Sequence, residues 1–269
     1  MNTTDTDYNK GLLLEIKTVQ SSAFRILIEA LKEILTDSNI EFDEDGMRIV
    51  AMDASHTVLV HLRLASENFE HYQCKNKLVL GVNMMNLFKL IKTMNNNDTL
   101  TLFLEEDSPN ELGIKIENGD KNTITNYRLN LMDLNEETIQ IPPATFNSVI
   151  TMPSNDFQKI CRDMNNLSEC IEIKSVDNQL IFSCKGDFAS QETIMGETNS
   201  GMSFIKKNNS DDIVQGLFAL KHLVLFTKCT NLCNSIELYL KNDYPLIIKY
   251  SVASLGDIKL CLAPQNNSY

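Results

Sequence analysis

The sequence lacks the short motifs that mark common classes of enzyme. It has no GxGxxG, GxxxxGK(S/T), HExxH or GxSxG segment, and its ten glycines are too dispersed to form a phosphate-binding loop. Its four histidines do not pair with a cysteine or serine in a recognisable catalytic arrangement. We therefore expect no catalytic residue and no cofactor, although catalytic groups that meet only in the folded chain would leave no such motif.

Cysteine pairs and long apolar runs are also missing. The seven cysteines are odd in number and form no CxxC pair, and Cys229 with Cys233 lacks a second pair at zinc-site spacing, so we predict reduced thiols and no metal site. The apolar stretch 218–226 is interrupted by Lys221 and is shorter than the roughly 18 residues that a membrane span requires. Residues 1–11 have neither a basic start nor an apolar core, which predicts a disordered arm and an intracellular protein.

Short strands dominate what is present. Alternation of apolar and polar residues predicts half-buried strands. The segments are 12–19, 47–52, 58–64, 100–104, 112–116, 148–152, 170–175, 179–183, 235–240 and 246–252. Asp45-Gly46 predicts a tight hairpin turn, because glycine tolerates a positive φ. The acidic residues beside it favour a solvated hairpin tip over a metal site; they are Glu41, Asp43, Glu44 and Asp45.

The chain resembles itself at a spacing of about 133 to 136 residues. Residues 21–31 and 154–164 both carry an apolar stripe at i, i+3, i+4 and i+7, which predicts two amphipathic helices. The segments that follow 87 and 223 repeat a second helix and an alternating strand. We infer two copies of one helix-and-strand unit. The boundaries we predict are an arm at 1–11, domains at 12–131 and 146–264, a connector at 132–145 and a tail at 265–269.

The connector contains the only Pro-Pro pair of the chain, Pro142-Pro143, which favours an extended path. Ile139 and Ile141 are apolar in this otherwise polar stretch. From the residues alone, packing of these two side chains onto the domain is favoured over binding.

Basic side chains concentrate on four predicted helices, although the formal net charge of the chain is −12. The helices, at about 22–35, 84–94, 155–166 and 218–229, carry eight basic and four acidic side chains, and the rest carries 16 basic and 32 acidic ones. The basic residues are Arg25, Lys32, Lys89, Lys92, Lys159, Arg162, Lys221 and Lys228. Spacings of three or seven place each pair on one helix face. A solvated surface and a surface that faces a polyanion are then equally favoured.

Several ordered segments resemble the proliferating cell nuclear antigen family of eukaryotic sliding clamps. They are EALKE at 29–33, MDASH at 52–56, LGVN at 80–83, LMDL at 131–134, MPS at 152–154, ICRD at 160–163, FAL at 218–220, FTK at 226–228 and LAP at 262–264. The resemblance extends from about 12 to 264. It implies an α+β DNA clamp fold with two similar domains. Three chains would close head to tail into a ring, with helices lining the hole and antiparallel sheets outside.

The resemblance assigns roles to residues of this sequence. It implies that the eight basic residues face double-stranded DNA without reading its sequence. Lys221 is the least certain of them, and Asn166 falls where the family often has a basic residue. The edges that join neighbouring chains would be strands near 123–130 and 188–196.

A second implied site is a pocket for short plug peptides of DNA polymerase, clamp loader, ligase and nuclease. Its residues here are Met52, His56, Ile139, Ile141, Pro245, Ala263 and Pro264. Thr57 and Asn266 depart from the apolar residues usual in the family, which predicts altered partner preference. Asp177 occupies the position of a lysine that many relatives modify, so that regulation is not expected there.

Two alternatives stay open. The chain could be one subunit of a heterotrimeric clamp, or a monomeric clamp-like processivity factor; a metal-dependent nucleic-acid enzyme is a remote competitor. The expected location is the nucleus, or a viral replication compartment if a large DNA virus rather than a protist encodes the chain.

Overall fold

The structure is a computed structural model of the 269-residue chain, and it describes residues 11–135, 139–207 and 213–265. Most of the predicted arm at 1–11, most of the tail and the departure at Asn266 lie outside the described residues. No helix within the described ranges is long and apolar enough to cross a membrane.

The described residues of the first half of the chain form nine strands and two α-helices. In chain order they are β1 (Leu12–Thr18), α1 (Ser21–Ile34), β2 (Asp37–Asp43), β3 (Gly46–Met52), β4 (Val58–Ala65), β5 (His71–Cys74), β6 (Leu78–Asn83), α2 (Met84–Ile91), β7 (Asp98–Glu105), β8 (Glu111–Asn118) and β9 (Thr123–Asn130). A short 3-10 helix, Ser66–Asn68, follows β4.

The second half repeats this order. Its elements are β10 (Ser148–Pro153), α3 (Ser154–Asn165), β11 (Cys170–Val176), β12 (Gln179–Lys185), β13 (Ser190–Gly196), β14 (Ser203–Lys206), β15 (Val214–Ala219), α4 (Leu220–Phe226), β16 (Ser235–Leu240), β17 (Leu246–Val252) and β18 (Gly256–Leu262). A 3-10 helix, Thr227–Leu232, continues directly from α4. The predicted duplication of one unit is therefore visible in the order of the elements.

The chain forms two compact units. Within the described residues, the first comprises 11–49, 62–135 and 253–256, and the second comprises 50–61, 139–207, 213–252 and 257–265.

Strand order repeats between the two halves as well. In the first unit one sheet has the order β5-β1-β7-β8-β9, and β2 lies between β3 and β6. In the second unit the corresponding orders are β14-β10-β16-β17-β18 and β13-β12-β11-β15. The strand pairs whose register is resolved are antiparallel, for example Leu14↔Leu104 and Ile150↔Leu238. The α+β class predicted from the sequence is confirmed.

Both predicted amphipathic helices bury the expected stripe. Phe24, Leu27 and Leu31 of α1 are buried, as are Phe157 and Met164 of α3. At period 3.6 these positions share one face, so each helix covers its sheet and turns its polar residues outward.

The hairpin predicted at Asp45-Gly46 is present between β2 and β3. Gly46 has a φ of +141°, and a Cβ there would lie 2.0 Å from the carbonyl oxygen of Leu64, so glycine is required. Within the hairpin, Arg48 forms ion pairs with Asp43 and Glu41. No group of metal-ligating side chains that could hold an ion occurs in the described ranges.

The predicted helix at 218–229 is wrong at both ends. Phe218 and Ala219 belong to β15, and the helix proper begins at Leu220 and gives way to a 3-10 helix at Thr227. The continuous apolar run hides the point at which the strand period of 2 changes to the helical period of 3.6. The helix predicted at 84–94 likewise ends earlier, at Ile91.

Candidate nucleic-acid and partner interface

The eight predicted DNA-facing cations lie on the four helices or immediately after them. Six of them are exposed: Lys89, Lys92, Lys159, Arg162, Lys221 and Lys228. Among the described residues, none of these six has a carboxylate within ion-pair distance. Their positive charge is therefore available to a ligand in solvent.

Arg25 and Lys32 differ from the other six, because each is partly covered. Only 26% of the Arg25 side chain and 11% of the Lys32 side chain are exposed. Arg25 Nη1 lies 3.9 Å from Glu29 Oε2, and Lys32 pairs with Glu33 and stands 4.9 Å from the centre of the Phe88 ring. Neighbouring charge and the aromatic face weaken the pull of these two residues on an external anion.

The helices of each unit pack against each other in pairs, so the basic side chains of each unit are carried on two contacting helices. In the first unit α1 contacts α2, and in the second α3 contacts α4. Gln158 Nε2 donates a hydrogen bond to the carbonyl oxygen of Thr227 at 3.1 Å and ties α3 to the start of the 3-10 helix that carries Lys228. Asn166 is exposed and lines one cavity with Lys221, so a neutral amide lies beside that cation.

The two predicted edges are edge strands of their sheets. β9 ends the order β5-β1-β7-β8-β9, and β13 ends the order β13-β12-β11-β15. Ile124 on β9 is 60% exposed, and Ile194 on β13 is 54% exposed. The strand predicted near 188–196 starts at Ser190, and Phe188 precedes it as an exposed aromatic residue. Unpaired strand edges with exposed apolar residues are typical sites of strand addition.

Their counterparts in the repeat are already paired. By position in the two halves, β18 corresponds to β9 and β4 to β13. Within the second unit the amide of Ala263 donates to the carbonyl oxygen of Thr57 at 3.1 Å, next to where β18 and β4 lie side by side. In the strand orders of the described residues, β9 and β13 each have a neighbouring strand on one side only.

Asp53 organises the loop at 53–57, part of the predicted peptide pocket. Its Oδ1 accepts hydrogen bonds from the amides of Thr57 and Val58, each at 2.8 Å, and its Oδ2 accepts one from Ser55. Burial raises the pKa of Asp53, but these hydrogen bonds outweigh it and the pKa lies below its ordinary value. The ionised carboxylate fixes the loop in which His56 takes a φ of +53°.

The structure brings only some of the predicted pocket residues into defined contact. The Thr57–Ala263 hydrogen bond places Ala263 beside the 53–57 loop. Met52, His56 and Ile141 are exposed. Ile139, Pro245, Ala263 and Pro264 are half-buried. Pro264 also lines a cavity of about 960 Å³ together with Tyr244, the neighbour of Pro245.

Family models of known proteins match this chain along almost its whole length. The family model "Proliferating cell nuclear antigen, N-terminal domain" matches residues 13–139, and "Proliferating cell nuclear antigen, C-terminal domain" matches residues 140–265. The chain belongs to the proliferating cell nuclear antigen family. The resemblance read from the sequence is confirmed, and so is the clamp fold that it implied.

Two relatives of this family illustrate its breadth. The "Probable DNA polymerase sliding clamp 1" of Paramecium bursaria Chlorella virus 1 is 37% identical over 258 residues, which cover 94% of this chain and 97% of the relative. The "Proliferating cell nuclear antigen" of Chaetomium thermophilum is 34% identical over 259 residues, which cover 94% and 98%. Both relatives are therefore similar to this chain over nearly the whole length of each protein.

An aromatic cluster beside the connector of this family member was missed by the sequence reasoning. Phe146 stacks edge-on against Tyr239 and Tyr244, with ring centres 5.4 and 5.6 Å apart. Lys241 Nζ lies 5.0 Å from the Tyr244 ring centre. All three rings are half-buried. Phe146 is the first residue after the predicted connector and lies close to Ile139 and Ile141 in the sequence. That position was the signal by which the sequence could have indicated the cluster.

Proposed function

We propose that this chain is a subunit of a homotrimeric sliding clamp that encircles double-stranded DNA and tethers DNA polymerase. The observation that carries the proposal is the segregation of charge. Six exposed cations without acidic partners among the described residues lie on or directly after the helices of a chain whose net charge is −12. An acidic exterior repels DNA, and a cationic helix surface attracts it.

Ring closure is supported by the duplication. If β13 of one copy adds to β9 of the next as β4 lies beside β18 within the chain, the contact is head to tail. A head-to-tail contact gives a closed ring when the rotation allows it. The domain boundaries at 12–131 and 146–264, with the connector at 132–145, remain part of this proposal.

Contacts with phosphates alone would let the ring slide. Lysine and arginine side chains at a helix surface attract the backbone, and without contacts to base edges no sequence holds the ring in place. Of the eight proposed DNA-facing residues, the exposed six should contribute more than the partly covered Arg25 and Lys32. The chain would act without catalysis, by retention.

The partner site we propose is an apolar surface for plug peptides of polymerase, clamp loader, ligase and nuclease. It consists of Met52, His56, Ile139, Ile141, Pro245, Ala263 and Pro264, extended by the Phe146 cluster. Aromatic and apolar anchors with a polar rim are typical of peptide hot spots. The proposed location is the nucleus or a viral replication compartment.

Native mass at micromolar concentration tests the assembly. We expect a trimer for the wild type and a folded monomer for Ile124→Glu, because a buried unpaired charge at the strand edge opposes association. Ile205→Glu, which alters an exposed isoleucine on β14, is the matched control and should stay trimeric. A wild type that is monomeric while its circular dichroism shows a folded chain would overturn the homotrimer and favour the monomeric processivity factor.

A further inference from the structure

The first unit contains a polar cavity of about 560 Å³ that shares only Arg25 with the sites described above. It opens between α1, the turn that follows α2 and the turn between β8 and β9. Its lining includes Arg25, Asn96, Asn97, Asn118, Asp120 and Lys121.

A buried carboxylate holds the two turns together. Asp98 accepts hydrogen bonds from Asn118 Nδ2 at 2.5 Å and from the amide of Asn95 at 2.8 Å. Asn118 Oδ1 in turn accepts a hydrogen bond from the amide of Lys121 at 2.8 Å, and Ser21 Oγ of α1 donates to the carbonyl oxygen of Asn95 at 3.0 Å. This network fixes the cavity walls before any ligand arrives.

The groups that face the cavity are mainly donors. Arg25 Nε is buried and has no hydrogen-bond partner among the described residues. Lys121 is exposed and forms no ion pair with a described residue, and Asn96 and Asn97 are exposed at the tip of their turn. Asp120 is the one carboxylate among the lining residues, and Glu29 lies 3.9 Å from Arg25 Nη1, so the unengaged donors of the cavity are Arg25 Nε and the Lys121 ammonium group. Guanidinium, ammonium and amide donors together match a phosphate group.

We propose that this cavity binds a backbone phosphate of the encircled DNA, so that Lys121, Asn96 and Asn97 extend the DNA interface beyond the helices. The proposal rests on the proposed function. Arg25 belongs both to the cavity and to the cation-bearing surface of α1, and Lys92 lies two residues before Met94, which lines the cavity. A duplex whose phosphates approach Arg25 and Lys92 would therefore lie close to residues that line the cavity.

The first experiment measures the affinity of the trimer for a 30-bp duplex as a function of salt. Lys121→Ala should reduce the magnitude of the log-log slope by about 0.9 for each duplex phosphate that the variant no longer neutralises. Lys77→Ala is the matched control. Lys77 is an exposed lysine of the same unit that pairs with Glu41 at 2.9 Å, so its replacement removes the same charge elsewhere and should leave the slope unchanged. Equal slopes in the two variants would overturn the proposal.

The second experiment uses inorganic phosphate and does not depend on clamp function. Amide NMR signals of Asn96, Asn97 and Lys121 should shift with sodium phosphate relative to sodium chloride at equal ionic strength, and not in Lys121→Ala. Absence of these shifts in the wild type would refute the site. Shifts without a change in duplex slope would mean a free-phosphate site and would refute the DNA assignment. If the wild type bound no duplex at any salt concentration, the proposed function would fail, and the phosphate titration alone would decide on the cavity.

Discussion

Tyr250 on β17 is fully buried, and its hydroxyl group has no hydrogen-bond partner among the described residues. Burial, and then the thiols of Cys229, Cys161 and Cys233, raise the pKa of Tyr250 well above its ordinary value. An unsatisfied buried hydroxyl costs about 1 to 3 kcal/mol of desolvation. We therefore expect Tyr250→Phe to raise the free energy of unfolding by about 1 kcal/mol.

Urea unfolding at fixed protein concentration measures this change, because the stability of an oligomer depends on concentration. Tyr244→Phe, at a half-buried ring, is the control and should change stability by less. A clear loss of stability in Tyr250→Phe would mean that the hydroxyl is hydrogen-bonded in solution.

Single residues show which side-chain properties can be predicted from the sequence and which cannot. The spacing of Lys159 and Arg162 was enough to predict that they share a face of one helix, and both are exposed on α3. The cover over Lys32 could not be predicted in the same way, because it comes from Phe88 on a different helix. Side-chain exposure depends on neighbours that are distant in the chain, and periodicity within one helix carries no information about them.

At the scale of elements, the connector makes the most specific prediction. Ile141 is exposed and Ile139 is half-buried. Replacing both isoleucines by alanine should weaken the binding of polymerase-type plug peptides by on the order of 1 to 3 kcal/mol, because truncated anchors bury less apolar surface in the complex. Titration calorimetry measures the affinity.

Ile205→Ala, at an exposed isoleucine on β14, is the control for the connector variant and should leave peptide affinity unchanged. Both variants should remain trimeric, since neither alters β9 or β13. Wild-type affinity in the connector variant would place the peptide site elsewhere on the chain.

Local signals predicted most elements, and the exceptions have physical reasons. The alternation in β16 and β17 gave their bounds without error. β15 was not predicted, and its last two residues, Phe218 and Ala219, were assigned to the helix, because the buried strand and the buried helix share one apolar run there. β5 and β14 are each only four residues long, too short for a pattern. Which strands lie at the edges of their sheets depends on pairing between segments that are distant in the chain. The edge strands were therefore identified only from the family resemblance and from the structure.

At the scale of the whole molecule, DNA could be held in two ways: by contacts between basic side chains and phosphates, or by closure of a ring around the duplex. Binding through phosphate contacts alone weakens steeply with salt, at a log-log slope of about −0.9 per neutralised phosphate. Retention by a closed ring does not require those contacts. The two modes therefore separate when circular and linear DNA are compared at high salt.

We expect a ring loaded on circular DNA to survive a high-salt wash and to leave when the circle is linearised.

Lys89, Lys92 and Lys228 are exposed cations without acidic partners among the described residues, so exchanging all three for glutamate should abolish weak direct binding to linear duplex and impair loading. Native mass should still report a trimer, because the edge strands are unchanged. Exchanging Lys77, Lys115 and Lys249 for glutamate adds the same negative charge at residues that are already ion-paired and should affect direct binding less. Equal salt sensitivity of the wild type on circles and on linear DNA would contradict encirclement and favour a monomeric processivity factor that holds DNA by phosphate contacts alone.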